Sequence, residues 1–302
     1  MRYRIRHETH YDYQHAVLLS QQVLHLQPRA LAWQQIHAAH ISIQPAPDFS
    51  QINNDCFGNP CQTLEINQPH QHLSLVSELD ISVLARKPVA LDLSLPWQVV
   101  AEMCRYPGST ALTPTQRDAL IFRHESPLIR IKHEFADWAA PCFVPGRPIF
   151  QVAHALMQRI FSELTFDSDA TDIGTPLLEV LHNKRGVCQD FAQLMIACLR
   201  AYGLPARYVS GYLLTQPPPG QARLIGADAS HAWVSVWCPS QGWMDFDPTN
   251  NISPGQQHIT LAWGRDFTDI SPLRGVIHGG GHHELTVRVT VAPYEDQLLP
   301  EA

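Results

Sequence analysis

The stretch RGVCQDFAQLMIACLRAYGLPARYVSGYL, residues 185–213, decides how this chain is read. Phe191, Leu194, Met195 and Cys198 recur at the i, i+3, i+4, i+7 spacing of a helix face, counted from a start near Cys188. Gly203-Leu204-Pro205 ends that helix, and ARYVSGYLL leads into a strand. Cys188 therefore falls in the first turn. There the unpaired backbone N–H groups and the positive end of the helix dipole favour a thiolate and can cradle an oxyanion. Cys198, about three turns further on, has no such help and reads as an inert core residue.

A thiol nucleophile needs a base, and the base needs a group to orient it. SHAWVSVWC reads as a strand opening on His231, with His231, Trp233, Ser235 and Trp237 on one face. A short turn over 239–242 leads into GWMDFDPTN, where Trp243, Asp245 and Asp247 share a face. Two strands joined by a short turn pair antiparallel. His231 and Asp247 then lie at the open ends of the hairpin and are expected to be neighbours. A carboxylate beside an imidazole fixes its tautomer and stabilises its charged form. Asp245 is the rival on the same face, and Asp-Pro-Thr is also turn chemistry. Asp190 reads as a first-turn acid interacting with the helix dipole, with a site role as its alternative. Gln189 and Trp233 are secondary candidates because they adjoin the thiol and the imidazole.

The rest of the chain bounds this reading. Its 302 residues suffice for two sizeable cores, and 45% of them are apolar. No apolar run reaches the length of a membrane span, so no membrane partner is expected. MRYRIRHETHYDY alternates like a strand and lacks the apolar core of a signal peptide. The formal charge of -7 and the lack of Lys/Arg clusters argue against nucleic acid. Seven scattered cysteines fit a reduced compartment better than a disulfide framework, so the cytoplasm is the expected location. His278, His282 and His283 in HGGGHHE form the densest group of the 17 histidines. They read as a glycine-rich loop entering the strand LTVRVTV, since no carboxylate or cysteine stands at ligand spacing. No metal and no cofactor are expected.

RYRIRHETHYDY, HAAHISIQPAP, CQTLEINQ and LSLVSELDISVLA are strand-like and separated by turn signals. They predict an all-β sandwich or open barrel over residues 1–95. Residues 96–149 form a connection with helical spacing in LTPTQRDALIF and LIRIKHEFADWAA. Residues 150–302 form the core: a helix from Phe150 with Val152, Leu156, Ile160 and Phe161 on one side, a polar loop TFDSDATDIGTP, a short helix closing at Gly186, then the cysteine helix and strands. TQPPPGQ, 215–221, is expected as an exposed loop. Helices followed by an antiparallel sheet give an α+β class.

GVCQDFAQLMIACLRAYGLPARYVSGY, SHAWVSVW and GWMDFDPTN resemble the three signature blocks of the transglutaminase-like superfamily. YRIRHETHYDY, LHLQPR, DCFGN and HLSLVSELDISV resemble the N-terminal β-domain of its bacterial two-domain branch, and HITLAWGRDFTDISPLRGVIHGGG its C-terminal segment. The resemblance covers nearly the whole chain. It implies a papain-like core in which the thiol-bearing helix packs on an antiparallel sheet. It assigns Cys188 as nucleophile, His231 as base and Asp247, rather than Asp245, as the orienting carboxylate. The backbone N–H of Cys188 becomes one oxyanion donor; the second is a side chain with no assigned position. One departure is Gln193, where many members of the branch carry histidine. The implied chemistry is acyl transfer from an amide or peptide bond through a thioester. Hydrolysis, as by a protease or amidase, is expected, and the partner is then a peptide or protein amide. An amine-accepting transglutaminase and a non-catalytic peptide-binding protein on the same fold are the alternatives, and an oligomer is left open. No acidic loop has the spacing of a dedicated calcium site. The N-terminal β-domain is expected to help shape the substrate groove or to recognise a peptide partner.

Overall fold

The computed structural model describes residues 1–105, 112–214 and 230–294. The exposed loop expected over 215–221 lies outside the described residues.

Five strands open the chain: β1 (Arg2–Leu24), β2 (Gln34–Gln44), β3 (Phe49–Asn54), β4 (Pro60–Ile66) and β5 (His70–Val83). All belong to one curled sheet ordered β2-β5-β1-β4-β3. The curl comes from β1, which runs well beyond the expected RYRIRHETHYDY. Its first half pairs with β5, an irregularity falls between Asp12 and Val17, and its last residues pair with β4. Bulges of this kind bend a strand and let one sheet fold over itself. Tyr13, Val17, Leu24, Leu64, Ile66 and Leu73 fill the fold of the curl.

A connection follows with α1 (Trp97–Met103), α2 (Pro114–Leu120) and α3 (His133–Ala139). Thr113 caps α2, its hydroxyl accepting from the Gln116 N–H while Gln116 reaches back to the Thr113 N–H. The core proper holds α4 (Ile149–Glu163), a two-residue parallel pair β6 (Thr165–Phe166) with β7 (Arg185–Gly186), α5 (Leu177–Asn183) and α6 (Cys188–Ala201). Next come β8 (Ala206–Leu213), β9 (Ser230–Cys238), β10 (Gly242–Phe246) and β11 (His258–Gly264), an antiparallel sheet ordered β10-β9-β8-β11. The class is α+β, as expected, with strands predominating.

Three expectations are corrected. Phe161 is exposed, while Val152, Leu156 and Ile160 are buried. Nine residues at 100° per residue place Phe161 opposite Val152, and Ala153 and Met157 complete the buried stripe instead. The helix α5 closes not at Gly186 but at Lys184, which takes the left-handed conformation with φ 56°. The third correction concerns the C-terminus. Strands β12 (Leu273–Gly279) and β13 (His283–Pro293), expected with the core, pair with β1 instead. Tyr3–Tyr13 of β1 matches Pro293–His283 of β13 residue for residue, so β13 extends the sheet that β1 opens. Alternation in a sequence reports a strand but not its partner.

The helix α6 sits at the centre. Every residue from Asp190 to Arg200 is buried, so it is enclosed on all sides rather than amphipathic. It packs on β8 and β9 and is flanked by α3, α4 and α5. Arg200 is the polar anchor of its last turn: the guanidinium donates to the carbonyls of Phe122, Ala206 and Arg265 at 2.7–2.9 Å and to Ser126 Oγ at 3.2 Å. At the other end the same enclosure holds Cys188 in place.

Candidate active site

The first turn of α6 is built by a side chain folding back on the backbone. Asp190 Oδ2 accepts the N–H of Val187 at 2.9 Å and the hydroxyl of Thr171 at 2.6 Å. This is half of a capping box, with an acid in place at the third helical residue. It explains the glycine before Val187: a Cβ on Gly186 would stand 2.7 Å from Asp190 Oδ2. Burial raises the Asp190 carboxyl, against the pull of these two hydrogen bonds. Asp190 thus fixes the helix start. Through Thr171 it also ties down the polar loop before the helix.

Cys188 is half-buried at this turn, whereas Cys198 is fully buried. Burial pushes the Cys198 thiol far above its ordinary range. Gln189 is half-buried beside Cys188. Gln193, the departure noted in the sequence, is buried one turn on, and its Oε1 accepts the N–H of Phe267 at 3.5 Å. It ties α6 to the turn that follows β11.

His231 opens β9 opposite Gly211 of β8. No other residue fits there, because a Cβ on Gly211 would lie 2.0 Å from the carbonyl of Ile259 and 2.6 Å from the Trp233 ring. In the β9–β10 hairpin Ser235 faces Asp245 and Val234 faces Phe246, so continuing the register puts Asp247 level with Trp233. Asp247 therefore reaches His231 diagonally and not directly across, a distance long side chains span. The contact is made: His231 Nε2 lies 2.8 Å from Asp247 Oδ2. The Cys188 thiol also acts on this ring and favours its charged form. Burial works against a charged ring, but the Asp247 hydrogen bond and the nearby Asp247 and Cys188 outweigh it and raise His231 to about 10.

Asp247 is fully buried and its two oxygens divide the work. Oδ1 accepts the backbone N–H groups of Thr249 and Asn250 at 3.0 and 3.2 Å, which is the turn chemistry of Asp-Pro-Thr. Oδ2 accepts from His231, from Asn250 Nδ2 at 2.8 Å and from His258 Nε2 at 3.1 Å. Burial alone would raise this carboxyl, yet the two imidazoles and Asn250 hold it well below the usual range.

His258, at the start of β11, was not singled out from the sequence. It is buried, and burial lowers it despite Asp247, so the ring is neutral and donates through Nε2–H. The Trp233 ring packs edge-on against it at 5.3 Å and tilted against His231 at 6.1 Å. The signal for His258 was faint: one histidine opening HITLAWG, among 17.

Asp245 does not join this group. Its Oδ2 accepts from Arg86 Nη1 at 2.6 Å and from Trp233 Nε1 at 3.2 Å. Burial is outweighed by Arg86 and Arg207, which hold the carboxyl below its ordinary value.

His231, Asp247 and His258 present three ligand atoms within 4.8 Å of one another, the one such group among the described residues. Both Nε2 atoms donate to a single carboxylate oxygen here, so a metal ion would have to displace both protons. The donor set fits a hydrogen-bonded carboxylate better than a metal centre. His278, His282 and His283 are exposed, at and beside the β12–β13 turn.

The comparisons agree with this architecture. The transglutaminase-like superfamily core matches residues 137–248, and the bacterial transglutaminase-like N-terminal region matches residues 3–82. An uncharacterised protein of Mycobacterium tuberculosis is 39% identical over 307 residues, spanning 99% of this chain and 95% of the relative. A protein-glutamine gamma-glutamyltransferase of Pseudomonas aeruginosa is 42% identical over 99 residues, 30% of this chain and 15% of that protein. Among solved structures, a "Putative Cysteine Protease" from Cytophaga hutchinsonii superposes with a TM-score of 0.73 at 19% identity, covering 99% of this chain and 93% of the other.

Proposed function

The chain belongs to the transglutaminase-like superfamily, and we propose that it is a cysteine-dependent acyl-transfer enzyme acting on amide or peptide bonds. The observation that carries this reading is the His231–Asp247 hydrogen bond, with the Cys188 thiol acting on the same ring from the N-terminus of an enclosed helix. In the proposed reaction the Cys188 sulfur attacks the amide carbonyl carbon, and the C–S bond forms as the carbonyl π electrons move to oxygen. The N–H of Cys188, which has no helical acceptor in the first turn, faces that oxyanion. His231 hands its proton to the leaving nitrogen as the C–N bond breaks, leaving a thioester. His231 then takes a proton from the incoming nucleophile, and the thioester collapses to release the acyl product and the Cys188 thiolate beside the protonated ring. Asp247 holds the ring through Nε2–H throughout. His258 and Asn250 keep its carboxylate ionised and aimed.

Water as the second nucleophile needs no binding site of its own, so hydrolysis is the default fate of the thioester and the reading adopted here. The second reading is transfer to an amine, favoured by the segment shared with the Pseudomonas aeruginosa gamma-glutamyltransferase. All seven cysteines are unpaired, which supports the reduced, cytoplasmic setting proposed for the enzyme.

The test is to incubate the protein with a panel of N-acyl peptide amides, with and without a primary amine, and to separate the products by mass. Acid product in both arms is the expected result. An amide of the added amine as main product moves the enzyme to the second reading. Wild type indistinguishable from Cys188→Ala on every substrate contradicts the enzymatic reading and favours the binding protein.

A further inference from the structure

A cavity of about 910 Å³ lies on the β10 side of the core. It is bounded by the segment 84–91 that leaves β5, by His154 of α4, by Trp243–Asp245 of β10 and by residues 253–256. Apolar walls come from Trp33, Leu84, Val89, Leu91 and Met244. Two arginines and one carboxylate stand among them.

The arginines are held rigidly. The Arg207 guanidinium carbon lies 4.1 Å from the ring centre of Trp243 and 3.7 Å from that of Trp263, so it is stacked on two indoles. Arg86 stacks on Trp33 at 4.6 Å and bonds Asp245 through Nη1 at 2.6 Å. What they lack is acceptors. Arg207 is only 7% exposed, and its Nε has no hydrogen-bond partner among the described residues. Arg86 Nε and Nη2, Arg207 Nε and Trp33 Nε1 are all buried without a partner. A buried donor left without a partner is costly, and more so when it is charged. Several gathered around one cavity, on side chains fixed by stacking, describe a prepared anion site.

The charge count selects the anion. Asp245 stays ionised, since the fields of Arg86 and Arg207 outweigh the effect of burial. Two guanidiniums against one carboxylate leave one positive charge inside, with exposed Lys87 at the rim. That excess suits a monoanion, and the fixed carboxylate repels a dianion. The planar donor fork of arginine matches a carboxylate, and the apolar walls match a body attached to it.

We propose that this cavity binds a carboxylate carried on an apolar or aromatic body, such as the free C-terminal end of a peptide. The site rests on binding chemistry and not on the reaction proposed above, so it is tested on Cys188→Ala protein, where turnover cannot interfere. The probes are N-acetyl-Ala-Ala-Phe with a free carboxylate, the same peptide as its C-terminal amide, and inorganic phosphate, each titrated by calorimetry. The acid is expected to bind about tenfold or more tighter than the amide, in line with a charged hydrogen bond. Arg207→Gln is expected to erase that preference. His154→Glu, which adds a negative charge to the wall without touching the stack, is expected to erase it as well. Equal binding of acid and amide overturns the proposal. So does a preference that survives both variants, or phosphate binding tighter than the peptide acid.

Discussion

Asp245, largely buried, and Asp247, fully buried, lie two residues apart in one segment and lead different lives. Asp245 is held by arginine, a cation that never titrates, and by an indole N–H. Asp247 is held by two histidines, an asparagine and two backbone N–H groups. The first arrangement fixes a charge permanently and joins the strand to the segment leaving the N-terminal sheet. The second suits a carboxylate whose partner must gain and lose a proton. A carboxylate's role is set by its partners, and these come from distant parts of the chain.

The widest separation between the two should appear on single substitution. Asp247→Asn keeps the shape but offers His231 the wrong partner, and kcat is expected to fall by roughly three to four orders of magnitude. Asp245→Asn is expected to change kcat less than tenfold. It should instead lower stability by about 3–5 kcal/mol, because Arg86 is left as a largely buried, uncompensated charge. Turnover and urea denaturation of both variants check this. Equal losses of kcat would erase the distinction.

His258 sharpens it. His258→Leu removes one of the donors to Asp247 Oδ2, and kcat is expected to drop about tenfold. His258→Gln, which can still donate, should recover most of that loss. If both variants turn over like wild type, His258 is only packing.

The smallest effect is on stability against pH. His231 is raised above its unfolded value of 6.5 to about 10. Its contribution is therefore complete below pH 6.5 and lost as pH rises toward 10. His258 is lowered, so stability falls as pH drops below 6.5, where the unfolded chain takes the proton first. Thermal unfolding across pH 5–10 should show the alkaline limb flattened in His231→Gln and the acid limb flattened in His258→Gln. Unchanged limbs would mean that neither imidazole carries the charge state described.

Much of the core was legible because its signals are local. The period of Phe191, Leu194, Met195 and Cys198, a glycine before the thiol and Gly-Leu-Pro after it place α6 and its first turn without knowledge of any partner. The β9–β10 hairpin was legible for the same reason, a short turn between two alternating runs. What stayed hidden depends on contacts across the sequence. His258 reaches Asp247 only because β11 lies beside β8. β12 and β13 pair with β1, more than 250 residues earlier, and nothing in LTVRVTV names that partner. The same pairing complicates removal of residues 1–95 as a probe of the N-terminal sheet, since both C-terminal strands would lose their edge. Phe161 shows a smaller failure: a run of apolar residues was read as one face, although 100° separates Phe161 from Ile160.

The central claim is that Cys188 and His231 act as a reactive pair, and alkylation of the native protein tests it most directly. Wild type and His231→Ala are treated with iodoacetamide across a pH series, and the labelled cysteine is identified by peptide mapping. The account predicts that Cys188 labels well ahead of Cys198, and that His231→Ala removes this lead. A Cys188 that labels no faster than Cys198, or whose pH response is unchanged in His231→Ala, would contradict it.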